Sequence, residues 1–350
     1  MLSSLARASN ISRVFVIPIP RCCCDPGPKY VLFLVLSQEE LPKTALLYTM
    51  VKPKIEASRG ANKMCGIIGL HILDAELEPQ LGTLAHAMLV QMSDRGPDSG
   101  GIAIYGDVAT NGNLKYSCRS NIQDFDWNQL AHTLGVQLVR HGDGIVLIGV
   151  PGLQSQIESQ GVSIMSTGVA IELFKETGSP TSVLNRFNIK SRVGYQAVGH
   201  TRLATESAIT TDGSHPFSTH SDLSVVHNGS FSNYFSVKRD LEALGEKFLT
   251  DNDTEVAARL LGYEMQHGRD LGDALRVLQK TLDGFYTLLC ATENEFAVAR
   301  DSVSCKPAVI AVHDRYIAMS SEYRALAELP DIDSARVFEP APNEIHVWTR

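Results

Sequence analysis

The chain has 350 residues, 44% of them hydrophobic, and a formal net charge of −8. That is enough apolar material for one large core or two modest ones, and the negative balance without a basic stripe argues against nucleic acid or a membrane surface as partner. Its seven cysteines are an odd set, with Cys22, Cys23 and Cys24 consecutive and no C-x-x-C pair; they indicate no disulfide framework, metal or other cofactor, and fit a reducing, cytoplasmic setting.

Residues 1–63 read apart from the rest. They show neither helical nor alternating period and carry Pro18, Pro20, Pro26, Pro28, Pro42 and Pro53. The apolar run 30–36 is far shorter than the roughly 20 residues of a membrane helix, and prolines and the cysteine triplet break up any signal-peptide core. Three readings are open: a start assigned too early, a removed prosegment, or a disordered tail. The first is favoured, because a start at Met64 delivers Cys65 at the N-terminus by ordinary methionine removal.

From Met64 the text is that of a globular domain. Residues 65–72 are apolar enough for a buried strand, and 78–92 place Leu81, Leu84, Ala85, Met88, Leu89 and Met92 at helical spacing. The segment Arg95-Gly96-Pro97-Asp98-Ser99-Gly100-Gly101 breaks that helix and leads into a strand at 102–105. Residues 111–149 alternate turns with strand and helix pieces. Residues 154–176 are ambiguous, with helix expected around 171–175. Strands follow at 197–205 and 223–227, then helices at 232–244, at 253–266 with Asp253 as N-cap, and at 271–282. Strands are expected again at 285–291, 295–300, 307–312, 316–320 and 344–348. This order predicts an α+β fold with a largely antiparallel sandwich rather than a parallel βαβ series.

Four short clusters carry chemistry. In Met64-Cys65-Gly66-Ile67, a cysteine placed first in the chain unites nucleophile and base, since its α-amine, of pKa near 8, can take the thiol's proton. A buried, inert cysteine is the plainer alternative. In His200-Thr201-Arg202-Leu203-Ala204-Thr205, the Arg202 guanidinium at a strand end can grip a carboxylate through paired hydrogen bonds, or be merely structural. In Val225-Val226-His227-Asn228-Gly229, the Asn228 amide and the Gly229 N–H are donors that could converge on an oxyanion, although Asn-Gly also makes hairpin turns. In Asp253-Thr254-Glu255, Asp253 either binds an ammonium group or caps its helix. Taken together, nucleophile, oxyanion donors, carboxylate clamp and ammonium clamp make a site for an α-amino acid bearing a reactive side-chain amide.

With these clusters and Arg95-Gly96-Pro97-Asp98-Ser99, the chain from Met64 onward resembles the class II glutamine amidotransferases, whose glutaminase domain has an N-terminal cysteine nucleophile. The resemblance implies the four-layer αββα sandwich of N-terminal-nucleophile hydrolases over 64–350. It implies Cys65 as nucleophile with its own amine as base, Asn228 and Gly229 as the oxyanion hole, and Arg202 on the substrate carboxylate with Thr205 nearby. Asp253 would hold the substrate ammonium, while Arg95 and His227 support the site.

Departures from the family pattern shape the expected partners. Many relatives have Trp where Leu203 stands, and sugar-phosphate amidotransferases have His where Glu206 stands. Residues 106–196 are long enough to contain an inserted subregion. No phosphate loop or synthase domain is recognisable, so ammonia from glutamine is expected to pass to synthase subunits on separate chains. That layout is similar to stand-alone amidotransferase subunits related to glutamate synthase, namely the GlxB type and the first subunit of N-methylglutamate synthase. The alternatives are an asparagine-synthetase-like or other amidase domain, or a non-catalytic regulatory subunit if residues 1–63 stay attached.

Overall fold

The computed structural model describes residues 64–203 and 209–350, together with the backbone of Ile11–Ile17 and Leu32–Ser37. It divides into two units, Met1–Asn62 and Lys63–Arg350. In the first, β1 (Ile11–Ile17) pairs antiparallel with β2 (Leu32–Ser37), where the sequence reading assigned no element.

The second unit runs β3 (Gly66–Ile72), α1 (Leu81–Gln91), β4 (Ser99–Tyr105), β5 (Leu114–Ser120), α2 (Trp127–Leu134), β6 (Gln137–His141), β7 (Gly144–Gly149), α3 (Gln154–Glu158), β8 (Val162–Gly168), β9 (Ile171–Thr177), α4 (Pro180–Arg186) and β10 (Gln196–Arg202). It continues with β11 (Ser224–Phe231), α5 (Tyr234–Ala243), α6 (Asp253–Gln266), α7 (Leu271–Thr281), β12 (Gly284–Ala291), β13 (Glu295–Arg300), β14 (Val309–His313), β15 (Tyr316–Ser320), α8 (Tyr323–Leu326), β16 (Arg336–Phe338) and β17 (Ile345–Thr349).

Two sheets make the sandwich, one ordered β16-β14-β15-β3-β10-β4-β9 and the other β11-β12-β13-β17. Strand β3 explains why its sequence is a continuous apolar run. Ile67 points into the core between the sheets with Val198, Val226, Leu289, Phe296 and Met319. Ile68, Leu70 and Ile72 point the other way, against Leu81, Ala85 and Met88 of α1 and Leu326 of α8. A strand covered on both faces needs apolar side chains at every position. Gly69 lets the sheets close: a Cβ there would fall 2.6 Å from Leu289 and 2.7 Å from the Phe296 ring.

Beyond the smaller sheet, Val225, Leu288, Cys290, Ala297 and Ala299 pack against Val237 of α5, Leu260 of α6 and Leu275 of α7. The order helices, sheet, sheet, helices is the expected αββα sandwich. A third sheet, β6-β7-β5-β8, lies within residues 106–196, with its own core of Tyr116, Leu130, Leu147 and Ile157.

Two local expectations need correction. Residues 171–175 are not helical: they form β9, in register with β4 from Ile171–Tyr105 to Thr177–Ser99. Ile171 and Leu173 enter the core between the sheets while Phe174 faces the helices, so both faces are apolar and a short run cannot announce its period. The helix α6 is capped by Asn252, whose side chain accepts from the Thr254 N–H. Asp253 is its first helical residue, and its carboxylate is left for other work.

Candidate active site

The residue that precedes β3 meets Leu203, just past the end of β10, and Asn228 of β11, while Asp253 at the start of α6 reaches β11 through Phe231 and His227. The Cys65 carbonyl accepts from Asn228 Nδ2 at 3.1 Å and from Arg95 Nε at 3.1 Å. The next two residues are held as firmly: Gly66 N–H donates to Thr201 Oγ1 at 3.2 Å, and Ile67 N–H to Ser321 Oγ at 3.0 Å. Cys65 Sγ lies 3.8 Å from the Leu203 carbonyl. Arg95 is buried and also pairs with Glu322, so it braces the Cys65 backbone.

Burial pushes the Cys65 thiol up, against the downward pull of the Arg202, Lys306 and Arg95 cations. Cys118 and Cys290 are buried as well; burial takes Cys118 up to about 12 and raises Cys290, and no basic side chain offsets either. Of these three thiols, Cys65 is the one with cations beside it, the kind of setting that favours a thiolate.

Arg202 ends β10 at 5% exposure. Burial works against its charge, while Cys65, Asp98 and Asp253 favour it. Asn228 and Gly229 are no hairpin turn: they stand inside β11, opposite Thr287 and Tyr286 of β12. Gly229 has φ +148°, and a Cβ there would meet the Phe285 carbonyl at 2.0 Å, so only glycine fits.

Asp253 Oδ2 accepts from the Phe231 N–H at 3.0 Å. Burial raises its carboxyl, yet the neighbouring His227 and hydrogen bonds from Phe231 and Thr254 outweigh it and hold the group below the usual carboxylate range. His227 is stacked on Phe231 at 4.5 Å and sits 3.7 Å from Asp253 Oδ1. Thus the structure gathers Cys65, Arg95, Arg202, His227, Asn228, Gly229 and Asp253; Thr205 lies outside the described residues.

Lys306 was not foreseen. Its Nζ lies 3.9 Å from Sδ of Met64, the residue bonded to Cys65, and no motif surrounds it. Among the described residues no group of three or more His, Cys, Asp or Glu side chains is placed to hold a metal, and no helix is long and apolar enough to cross a membrane.

Residues 189–341 match the glutamine amidotransferase domain family. The chain is 48% identical over 297 residues to the glutamine amidotransferase-like protein GlxB of Rhizobium meliloti, a match covering 81% of this chain and 98% of that protein. It is 32% identical over 190 residues to a glutamine–fructose-6-phosphate aminotransferase of Thermus thermophilus, covering 53% of this chain and 31% of that one. A solved structure, the glutamine phosphoribosylpyrophosphate amidotransferase from B. subtilis, shares the fold with TM-score 0.54 at 21% identity, over 81% of this chain and 47% of its own. A relative matched at 48% identity along nearly its whole length decides the family, and this chain belongs to the class II glutamine amidotransferases.

Proposed function

We propose that Cys65 hydrolyses the side-chain amide of glutamine through a thioester, and that the ammonia passes to synthase subunits on separate chains. The observation that carries this reading is the Asn228 amide seated on the Cys65 carbonyl, with Arg202 close enough to act on the thiol. Removing everything before Cys65 frees an α-amine that takes the thiol's proton. The thiolate attacks the amide carbon, and charge gathers on the carbonyl oxygen, where the second Asn228 Nδ2–H and the Gly229 N–H donate. The proton returns to the leaving nitrogen, ammonia departs, and a γ-glutamyl thioester remains. Water, deprotonated by the same amine, converts it to glutamate and restores the thiol.

Arg202 holds the substrate α-carboxylate, with Thr205 beside it, and Asp253 holds the α-ammonium. Arg95 and His227 keep the site in place. The Rhizobium relative is matched over 98% of its length and the Thermus aminotransferase over 31%. The match along nearly all of the Rhizobium protein fits the proposal that the acceptor sits on partner chains, as in a glutamate synthase-like or N-methylglutamate synthase complex.

Three measurements test this reading. Mass analysis of the active species should find Cys65 first; an active species beginning at Met1 or Met64 overturns it. A diazo-ketone mimic of glutamine should label Cys65 and spare Cys118, Cys290 and Cys305, and Cys65→Ala should lose hydrolysis while keeping the fold. Ammonia release should rise when the products of neighbouring genes are added; a lone chain at full rate, indifferent to them, indicates a simple amidase.

A further inference from the structure

Three imidazoles and one hydroxyl cluster around Asp253, and of the four only His227 has been given a part above, as a support of the site. His200 on β10, His215 ahead of β11 and His227 on β11 are all buried, with the rings of His200 and His215 4.1 Å apart. His215 Nε2 and His227 Nδ1 both reach Thr254 Oγ1, at 2.8 and 3.0 Å. The same hydroxyl is 3.3 Å from Asp253 Oδ1.

Counting protons settles the direction of each bond. A threonine hydroxyl owns one proton and an ionised carboxylate none, so the hydroxyl donates to Asp253. Both ring nitrogens must then donate to the hydroxyl oxygen, which makes His215 the Nε2–H tautomer and His227 the Nδ1–H tautomer. His215 Nδ1 and His227 Nε2 are buried without a hydrogen-bond partner, as suits lone pairs better than N–H groups. His200 repeats the pattern: its Nε2 lies 3.1 Å from the His227 carbonyl, and its Nδ1 has no partner. Burial lowers His200 to about 3 and His215 far below the ordinary histidine value, in keeping with rings that carry one proton each.

We infer that Thr254 is a positioning residue whose hydroxyl fixes the ammonium-reading carboxylate of Asp253 to the oxyanion strand through His227, and to the Arg202 strand through His215 and His200. The inference rests on Asp253 as the ammonium site. Without the hydroxyl, Asp253 keeps its bond from the Phe231 N–H and His227 at 3.7 Å but loses the Thr254 donor. Two buried N–H donors lose their acceptor at the same time.

The test compares glutamine with glutaramate, which has the same amide and carboxylate but no α-ammonium. Thr254→Val, nearly the same shape without the hydroxyl, should lower the ratio of kcat/KM for glutamine over glutaramate by about tenfold, as losing a hydrogen bond to a charged group implies. Most of that loss should appear in the KM for glutamine, and Thr254→Ser should restore the ratio. If Thr254→Val keeps the ratio while Asp253→Asn collapses it, the positioning role is wrong and the ammonium site stands. If Asp253→Asn leaves the ratio unchanged, the ammonium site falls and the inference with it. Should Thr254→Val fail to fold, proton–nitrogen correlation spectra of the native imidazoles decide: Nδ1–H at His227 with Nε2–H at His215 upholds the inference, and the opposite tautomer at either ring overturns it.

Discussion

The Asn228 side-chain amide donates to the Cys65 carbonyl over 3.1 Å, joining residues 163 positions apart. One of its two N–H groups is thereby spent on Cys65, the proposed nucleophile, and the other is held at a fixed angle beside it. A donor locked in this way needs no reorganisation when charge appears on the substrate oxygen.

Asn228→Ala should therefore lower kcat for glutamine hydrolysis by about 10²–10³-fold, the usual loss for one oxyanion donor. KM should change little, because the donor acts on charge that is absent from bound glutamine. Steady-state ammonia release measures both; a rise in KM with kcat intact would assign Asn228 to binding instead.

Arg202→Lys should show the reverse pattern. A lysine keeps the charge near Cys65 but cannot make the paired hydrogen bonds of a guanidinium to a carboxylate. The KM for glutamine should rise by at least about tenfold, the value of one charge-assisted hydrogen bond, with a smaller fall in kcat. An unchanged KM would remove Arg202 from the substrate carboxylate.

Much of this site was legible in the sequence because each cluster is a run of adjacent residues in or beside one strand or at the start of a helix. Chain neighbours fix the local chemistry of Cys65-Gly66, Asn228-Gly229 and Asp253-Thr254, and the antiparallel sandwich brings their ends together. What was illegible depends on contacts across the fold. Lys306 reaches Met64 across 242 positions, and Thr254 meets His215 across 39. Asn252 and Asp253 are both good caps; the Thr254 N–H on Asn252 and the Phe231 N–H on Asp253 separate their roles. Strand β9 was misread because Ile171, Leu173 and Phe174 bury both of its faces, which erases the alternation that marks a strand.

Glu172 of β9 ties the third sheet to the sandwich. Its carboxylate accepts from Lys115 Nζ of β5 at 2.8 Å, lies 3.2 Å from His141 Nε2 of β6, and pairs with Arg192. Burial raises the carboxyl, but His141, Arg192 and Lys115 outweigh it and hold the group down to about 2, against an ordinary value of 4.5. A carboxyl depressed on folding contributes stability that is complete above its unfolded pKa and lost as pH falls towards the folded one. The contribution, on the order of 3 kcal/mol, should thus disappear between about pH 4.5 and 2. Glu172→Gln should be less stable at pH 7, where it leaves buried cations without their counter-charge, and should lose less on acidification. Denaturant melts across that range check it; equal acid slopes for the two proteins would show that Glu172 is not the acid-sensitive group.

Lys306 should set the acidic limb of the pH–rate profile. Its ammonium lies 3.9 Å from Met64 Sδ and acts on the Cys65 thiol together with Arg202 and Arg95, while Asp98 and Asp253 bear on the site through Arg202. In the proposed mature form, with Met64 gone, the cation stands near the new α-amine. A neighbouring positive charge disfavours the protonated amine and favours the thiolate, so it lowers the pKa of both. Lys306→Met removes that charge, both groups hold their protons to higher pH, and the acidic limb of kcat/KM moves upward. With Arg202 and Arg95 still present, the shift should be about half a pH unit to one unit, the effect of a single partly screened charge. Lys306→Arg should return the limb to its original place. The side chain is only partly buried and packs on the Phe285 ring at 5.2 Å, so methionine can fill its volume without unfolding the chain. A limb that stays still, or moves to lower pH, in a folded Lys306→Met enzyme would show that the α-amine and thiol do not feel this cation.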